Sequence, residues 1–208
     1  MLFPLFKGIS YGFLIAAIVG PISLLCLRRA LNDGFWAGLT SGLGAATADA
    51  IYGVVAAMGL ATVTHFLIAL QIPLQFFGGA FLIYLGIDAA RSQPPPRGEA
   101  APTIKSSARL YLSTLLLTLA NPMTILSFIA AFAGLAENDF GRSWTAPAFL
   151  VLGVFLGSSV WWIVLCSLAG KFGQNLTPAR LRLINVLSGL CITGFGLWQL
   201  GKLALRWI

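Results

Sequence analysis

Charged residues are scarce in this chain. Only 9% of its 208 residues are Asp, Glu, Lys or Arg, whereas 58% are apolar and the mean hydropathy is +0.90. Ordinary globular domains carry about 25% charged residues, and a water-soluble fold of this length could not hide so much apolar surface. The composition therefore excludes a soluble domain and predicts an all-α integral membrane protein whose apolar surface faces the lipid bilayer.

Residues that carry metal and nucleophile chemistry are also rare. The chain has one histidine and three cysteines, and the cysteines lie scattered in apolar runs without a C-x-x-C pair. It contains no H-E-x-x-H, G-x-S-x-G or phosphate-binding glycine loop. We therefore expect a protein that is not an enzyme and that has no metal site and no cofactor.

Six apolar stretches are each long enough to cross a bilayer, which takes about 20 residues in a helix. They cover approximately residues 4–27, 37–60, 73–90, 110–133, 146–169 and 183–203. The segment 61–72 is expected to lie at the membrane surface. The first stretch resembles a signal peptide, but Arg28 and Arg29 follow it directly, as at the cytoplasmic end of a retained helix. We expect the multi-pass protein to keep this helix.

Lysine and arginine are concentrated in alternate loops between these stretches. The basic residues of the first, third and fifth loops are Arg28, Arg29, Arg91, Arg97, Lys105, Arg109, Lys171, Arg180 and Arg182. By the positive-inside rule these loops are cytoplasmic, which puts both termini outside. The net charge of +7 therefore reflects topology, and no nucleic-acid partner is expected.

The two halves of the chain resemble each other. Three segments correspond: GPIS at 20–23 with NPMT at 121–124, the glycines of 78–86 with those of 188–196, and Asp49 and Tyr52 with Ser159 and Trp162. Because each half has three helices, the second half must insert upside down. The pattern predicts six transmembrane helices arranged as two inverted three-helix repeats, at 1–90 and 108–208, joined by a cytoplasmic linker at 91–107. The glycines are expected to serve helix packing.

Each half has a proline inside its first helix, Pro21 or Pro122. Proline breaks the helical hydrogen-bond pattern, and broken membrane helices offer carbonyl groups to a cation and N–H groups to a carboxylate. The hydroxyls two residues later can bond either to a substrate or to the broken backbone. The candidate substrate-binding residues here are Gly20, Pro21, Ser23, Asn121, Pro122 and Thr124. The alternative is a pair of structural kinks, which are common in membrane helices.

Asp49 lies near the middle of the second predicted span. A carboxylate at that depth costs about 2.5–3.5 kcal/mol on insertion scales, so such residues usually serve an ion, a proton or a substrate. Tyr52 is one turn away on the same face and is expected to orient the carboxylate. Trp162 is expected to wall the same cavity. The alternative is a structural acid that bonds to neighbouring hydroxyl or backbone groups.

Three segments carry a resemblance to a known family. They read IVGPISLLCLRRALNDGFWAGLTSGLGAATADAIYGVVAAMGL, FFGGAFLIYLGIDAAR and LTLANPMTILSFIAAFAGL. They resemble the lysine exporter (LysE/RhtB) family, and the likeness covers most of the chain apart from the linker. The resemblance implies export of amino acids and related small metabolites through the bacterial cytoplasmic membrane, generally driven by the proton gradient. Many relatives have P-G-P where this chain has a single G-P, so no particular substrate follows.

Taken together, these features predict a proton-coupled exporter of a small zwitterion that works by alternating access around a midplane site. Asp49 would bind either the ammonium group or the coupling proton. One alternative is a divalent-metal exporter, which would need more ligands within the spans. The other is a membrane thiol-disulfide carrier, which would need paired cysteines, whereas Cys26 is matched by Ser127. The partners expected are the small-molecule substrate, protons and the bilayer, with homodimer formation left open.

Overall fold

The computed structural model describes residues 2–18, 20–57, 71–93, 104–121, 124, 127–128, 145–173 and 176–205. Within these ranges the chain forms seven helices and no strand, so the all-α prediction is confirmed. The helices are α1 (Leu2–Ala16), α2 (Pro21–Asn32), α3 (Phe35–Ala57), α4 (Gln71–Arg91), α5 (Ile104–Leu119), α6 (Thr145–Gly173) and α7 (Pro178–Ala204).

Three of these helices, α4, α6 and α7, are long and apolar enough to cross a membrane. The pair α1 and α2 meets the same requirement as one span bent by 82°. α3 has 23 residues but is not among these spans, because it carries Asp49 among glycine and hydroxyl residues and is less apolar. The described part of α5 is shorter than a span. The membrane character is therefore established, whereas the full set of six spans stays a prediction.

Several predicted boundaries fall where the structure describes little. Most of the surface segment 61–72 and of the linker 91–107 lies outside the described residues. α5 begins at Ile104, inside the predicted linker. It ends at Leu119, and most of the remaining fourth span, predicted to reach residue 133, lies outside the described residues.

The helices pack in a few extensive pairs. α1 lies along α6, α4 lies along α7, and α3 packs against both α5 and α6. The interior contains a cluster of buried side chains that includes Leu25, Cys26, Trp162 and Ile192. Large apolar side chains also cover the outer surface, among them Phe3, Phe77, Leu116, Phe172 and Leu190. An exposed apolar surface of this kind suits contact with lipid rather than water.

Glycines allow α4 and α7 to approach closely. A Cβ atom on Gly189 would lie 2.5 Å from the carbonyl oxygen of Gly86, and one on Gly86 would lie 2.8 Å from that of Gly189. Gly79 and Gly196 face each other in the same way, at 3.3 Å and 2.8 Å. Small residues of this kind let two helix backbones touch in a membrane, so the predicted packing role of these glycines is confirmed.

Candidate functional site

The chain breaks between α1 and α2, next to the first predicted proline. α1 ends at Ala16, and α2 begins at Pro21 after Gly20, which is extended (φ −143°, ψ −171°). Proline suits the first position of a helix, because its φ is already helical and its missing N–H group is not needed there. Pro21 is buried and Gly20 is partly buried. The predicted interruption near Pro21 is confirmed.

The hydroxyl group of Ser23 stabilises this break. It donates a hydrogen bond to the carbonyl oxygen of Ile18 at 3.4 Å. Ile18 lies in the interrupted stretch, where carbonyl groups lose the partners that a continuous helix would supply. An unpaired carbonyl group is costly where no water can reach it. Of the two roles expected for this hydroxyl, the structure therefore shows the bond to the broken backbone.

A second break follows α5, which ends two residues before Asn121. The backbone N–H group of Asn121 donates to the carbonyl oxygen of Thr118 at 3.1 Å. The carbonyl oxygen of Asn121 accepts from the N–H group of Thr124, also at 3.1 Å. Both Asn121 and Thr124 are partly buried. Pro122 lies outside the described residues, so the structure shows that α5 ends just before this proline and nothing of the proline itself.

Tyr52, on α3, supports the second break. Its hydroxyl group donates to the carbonyl oxygen of Leu119 at 2.5 Å, and its ring packs on Phe128 with the ring centres 5.7 Å apart. Leu119 is the last residue of α5, where the regular hydrogen-bond pattern of this helix ends. The hydroxyl group of Tyr52 therefore bonds to backbone at the end of α5, and not to the carboxylate of Asp49 that it was expected to orient.

The two breaks meet at a narrow cleft. It is lined by Pro21, Gly78, Leu82, Leu117, Ala120, Asn121 and Gln199. The cleft contains about 190 Å³ of empty space, some of it open to the surroundings, and no part is wide enough for a water molecule. Residues from both predicted repeats therefore face each other across this cleft, which is closed in this structure.

Asp49 belongs to α3 and lies outside that lining, with its side chain facing α6. Its side chain is 3% exposed, and the hydroxyl group of Ser158 donates to its Oδ2 atom at 2.7 Å. The indole Nε1 of Trp162 donates in turn to the Ser158 oxygen at 3.1 Å. Among the described residues no lysine or arginine pairs with Asp49, and no group of three His, Cys, Asp or Glu residues could hold a metal ion.

Ser158 was not among the predicted site residues, although it touches the carboxylate. The repeat placed its neighbour Ser159 opposite Asp49, but the hydroxyl group of Ser159 donates to the carbonyl oxygen of Phe155 at 2.7 Å. Trp162 packs against α3 where Gly42 leaves room, since a Cβ atom on Gly42 would lie 2.5 Å from the ring. The structure joins Trp162 to Asp49 through a Trp162–Ser158–Asp49 chain of hydrogen bonds. The expectation that Trp162 walls a cavity around Asp49 stays a prediction.

Arg29, which the sequence pattern assigned only to topology, is 8% exposed and binds inside the helix bundle. Its Nη1 atom donates to the hydroxyl groups of Ser41 at 2.8 Å and Thr114 at 2.9 Å, and to the carbonyl oxygen of Leu110 at 3.2 Å. Its Nη2 atom donates to Ser113 at 3.0 Å. The guanidinium group thus joins α2 to α3 and α5 through neutral partners. In the sequence, the neighbouring hydroxyl residues of α5 were the feature from which a buried partner for Arg29 could have been predicted.

A second set of polar contacts joins α2 to the ends of α4 and α7. The side-chain amide of Asn32 donates to that of Asn185 at 2.5 Å, and Asn185 donates to the carbonyl oxygen of Ser92 at 3.4 Å. The guanidinium group of Arg28 donates to the hydroxyl group of Ser92. These four residues and Arg29 place the polar contacts of α2 at one end of the bundle.

Gln75 on α4 and Gln199 on α7 form a reciprocal pair. The Nε2 atom of Gln75 donates to the backbone carbonyl of Gln199 at 3.0 Å, and the Nε2 atom of Gln199 donates to that of Gln75 at 3.2 Å. Only 6% of Gln75 and 1% of Gln199 is exposed. Polar amides within apolar helices usually mark a functional or structural contact, so the sequence could have indicated this pair. Neither residue was among the predicted site residues.

Comparison with known proteins agrees with this architecture. The sequence model of the LysE type translocator family matches residues 13–201. YcgF of Bacillus subtilis, which its name assigns to amino acid efflux, is 27% identical over 194 residues, 91% of each chain. The leucine efflux protein of Salmonella typhimurium is 26% identical over 186 residues, 87% of each chain. An uncharacterized membrane protein of Pseudomonas aeruginosa is 32% identical over 142 residues, 66% of this chain and 65% of the relative.

The family match begins within α1 and ends within α7, so it includes both helix breaks, the cleft between them and the position of Asp49. The proteins named above are called efflux or membrane proteins, and none is named as an enzyme. The fold, the apolar surface and this match lead to the same conclusion. The chain belongs to the LysE type translocator family and is a membrane transporter.

Proposed function

We propose that this transporter exports an amino acid, or a related small zwitterion, from the bacterial cytoplasm. The observation that carries the proposal is the cleft at which the break before Pro21 meets the break after α5. Broken helices can offer backbone groups to the charged ends of a substrate, and a zwitterion has one end of each sign. The efflux functions named for the Bacillus and Salmonella relatives support the same substrate class.

The proposal includes six spans in two inverted three-helix repeats. The same shift in numbering relates Gly79 to Gly189 and Gly86 to Gly196. If a two-fold axis relates the halves, the contact between Gly79 and Gly196 requires a contact between Gly189 and Gly86. Both contacts occur, which supports the repeat. Transport would follow from rocking one half against the other around the cleft, which exposes it to each side in turn.

Asp49 is the proposed site of the coupling proton. It lies outside the lining of the cleft, so a bound substrate there would not need to reach it. Its partner Ser158 is neutral and can serve both forms of the acid. It donates to the carboxylate, and when Asp49 is protonated it can accept instead. Its own O–H can then turn to a backbone carbonyl four residues earlier, as Ser159 does toward Phe155.

The proposed orientation places the first, third and fifth loops in the cytoplasm and both termini outside, in the bacterial cytoplasmic membrane. The basic residues of those loops support it through the positive-inside rule. In this orientation the polar contacts of Arg28, Arg29 and Asn32 lie at the cytoplasmic end of the bundle. They would then hold that end closed while the cleft empties to the outside.

The test is amino acid efflux from loaded proteoliposomes with the pH gradient varied. The parent protein is expected to release substrate faster when the gradient favours proton exchange. Asp49→Asn keeps the shape of the side chain but cannot exchange a proton, and we expect it to slow gradient-driven efflux by at least about tenfold. Asp88→Asn is the matched control, because Asp88 is exposed near the end of α4, and it should transport like the parent.

Two outcomes would count against the proposal. If the parent protein moves no amino acid under any gradient, the substrate class is wrong. If Asp49→Asn inserts, folds and responds to the pH gradient as the parent does, Asp49 has a structural role and proton coupling must be sought elsewhere.

A further inference from the structure

Two buried amide oxygens lack a hydrogen-bond partner. In the part of the chain that the structure describes, the Oε1 atoms of Gln75 and Gln199 are inaccessible and no donor reaches them. The Nε2 atoms of the same side chains are both paired, each with the backbone carbonyl of the other residue. Proteins leave few buried polar atoms unpaired, because each loses its bonds to water and gains nothing in return.

Turning either amide over would not satisfy these oxygens. Each Nε2 atom faces a backbone carbonyl oxygen, so a flipped amide would bring two acceptors together and leave its nitrogen unpaired. The orientation is therefore fixed by the reciprocal pairing. Each glutamine therefore has one acceptor atom, Oε1, for which the described residues supply no donor.

Gln199 is the member of the pair that lines the cleft between the two helix breaks. The other polar lining residue is Asn121, and the remaining ones are apolar: Pro21, Gly78, Leu82, Leu117 and Ala120. Within the described residues, no charged side chain belongs to this lining. A lysine or arginine substrate would therefore find no acidic partner for its side chain here, whereas an aliphatic side chain would find apolar walls.

We propose that the cleft binds a neutral amino acid with an aliphatic side chain, and that the Oε1 atom of Gln199 accepts a hydrogen bond from the substrate's ammonium group. The inference rests on the proposed export function and narrows its substrate class. The apolar lining takes the aliphatic side chain, and the bond to the ammonium group satisfies the unpaired oxygen. A neutral acceptor in place of a carboxylate lets the substrate leave again, because no buried ion pair has to be broken.

The Gln75–Gln199 pair supplies its own matched control. Gln199→Met and Gln75→Met each remove one Nε2-to-carbonyl bond of similar length, and each keeps an unbranched side chain of similar size. Only the first changes a residue that lines the cleft. In proteoliposomes that export leucine, Gln199→Met should raise the KM for leucine by about tenfold, the usual effect of losing a hydrogen bond to a charged group. Gln75→Met should change it by less than about twofold.

Further measurements test the acceptor, the donor and the substrate class. Gln199→Glu retains an acceptor oxygen while losing the Nε2 donor, so it should bind leucine far better than Gln199→Met. For the parent protein, isoleucine and valine should compete with leucine, whereas lysine should not. N,N,N-trimethylleucine keeps the positive charge but has no N–H group to donate, and it should compete poorly. A dependence of binding on sodium instead would mean that the oxygen holds a metal cation, and would overturn the proposal.

The outcomes separate this inference from the function on which it rests. If the parent exports no amino acid, both are wrong. If it exports leucine but the two methionine variants raise the KM equally, the glutamines only hold α4 and α7 together and the inference alone is wrong. Preference for lysine over leucine would have the same consequence. Should Gln199→Met fail to fold, Gln199→Glu still tests the acceptor, and the trimethylleucine and lysine competition on the parent still tests the donor and the substrate class.

Discussion

Replacing Gly189 by alanine should force α4 and α7 apart. The new Cβ atom would lie 2.5 Å from the carbonyl oxygen of Gly86 and 2.6 Å from the amide nitrogen of Ala90, both of which are backbone atoms. Because backbone cannot turn aside as a side chain can, the helices must separate by about 1 Å to restore ordinary contact distances. Overpacking costs about 1–3 kcal/mol, whereas alanine gains about 0.5–1 kcal/mol over glycine within a helix. We expect a net loss of up to about 2.5 kcal/mol relative to the parent, and a loss of about 1–3 kcal/mol relative to a variant that has the helix-propensity gain alone.

Gly194→Ala is the matched control, on the same helix. A Cβ atom there has nothing within 4 Å, so only the helix-propensity gain applies, and this variant should be as stable as the parent or slightly more so. Stability would be measured by titrating the purified proteins in mixed micelles with sodium dodecyl sulfate and following helix loss by circular dichroism. The close-contact reasoning is refuted if Gly189→Ala resists the detergent as well as Gly194→Ala does.

Three shorter predictions concern other contacts. Tyr52→Phe removes the donor to the Leu119 carbonyl and should cost about 1–2 kcal/mol in the same titration; an unchanged midpoint would mean that another group supports the second break. Asn185→Ala leaves the amide of Asn32 without its acceptor and should cost about 1 kcal/mol, which equal stability to the parent would contradict. A cysteine at the exposed Gln93, in a variant without the native cysteines, should resist impermeant thiol reagents in intact cells, whereas rapid labelling would reverse the proposed orientation.

The sequence is informative about the membrane character and about the break at Pro21, because both follow from strong local causes. A long apolar run has no stable place in water, and a proline in mid-helix removes a donor wherever the rest of the fold lies. The contact between the glycines of α4 and α7 could be predicted for a similar reason, since small residues at regular spacing have few other uses in a membrane helix.

The partners of polar side chains were harder to foresee. Tyr52 lies one turn from Asp49 in α3, yet its hydroxyl group bonds to the carbonyl oxygen of Leu119, where α5 ends. Ser158 rather than Ser159 bonds to Asp49, since a shift of one residue turns a helix by about 100° and no sequence pattern fixed that rotation. Arg29 was missed because most of its partners come from α5, which is distant in sequence.

The neutral partners of Arg29 make its attachment easy to reverse. Each hydroxyl group that accepts from the guanidinium group also donates to a carbonyl group of its own helix: Ser41 to Ala37, and both Ser113 and Thr114 to Leu110. If Arg29 withdraws, none of these donors is stranded, and the guanidinium group needs only water, which is close to the exposed turn after α2. An arginine held by carboxylates would instead leave unpaired negative charge behind. The contacts of Arg29 can therefore break and form again without leaving these buried hydroxyl donors unsatisfied.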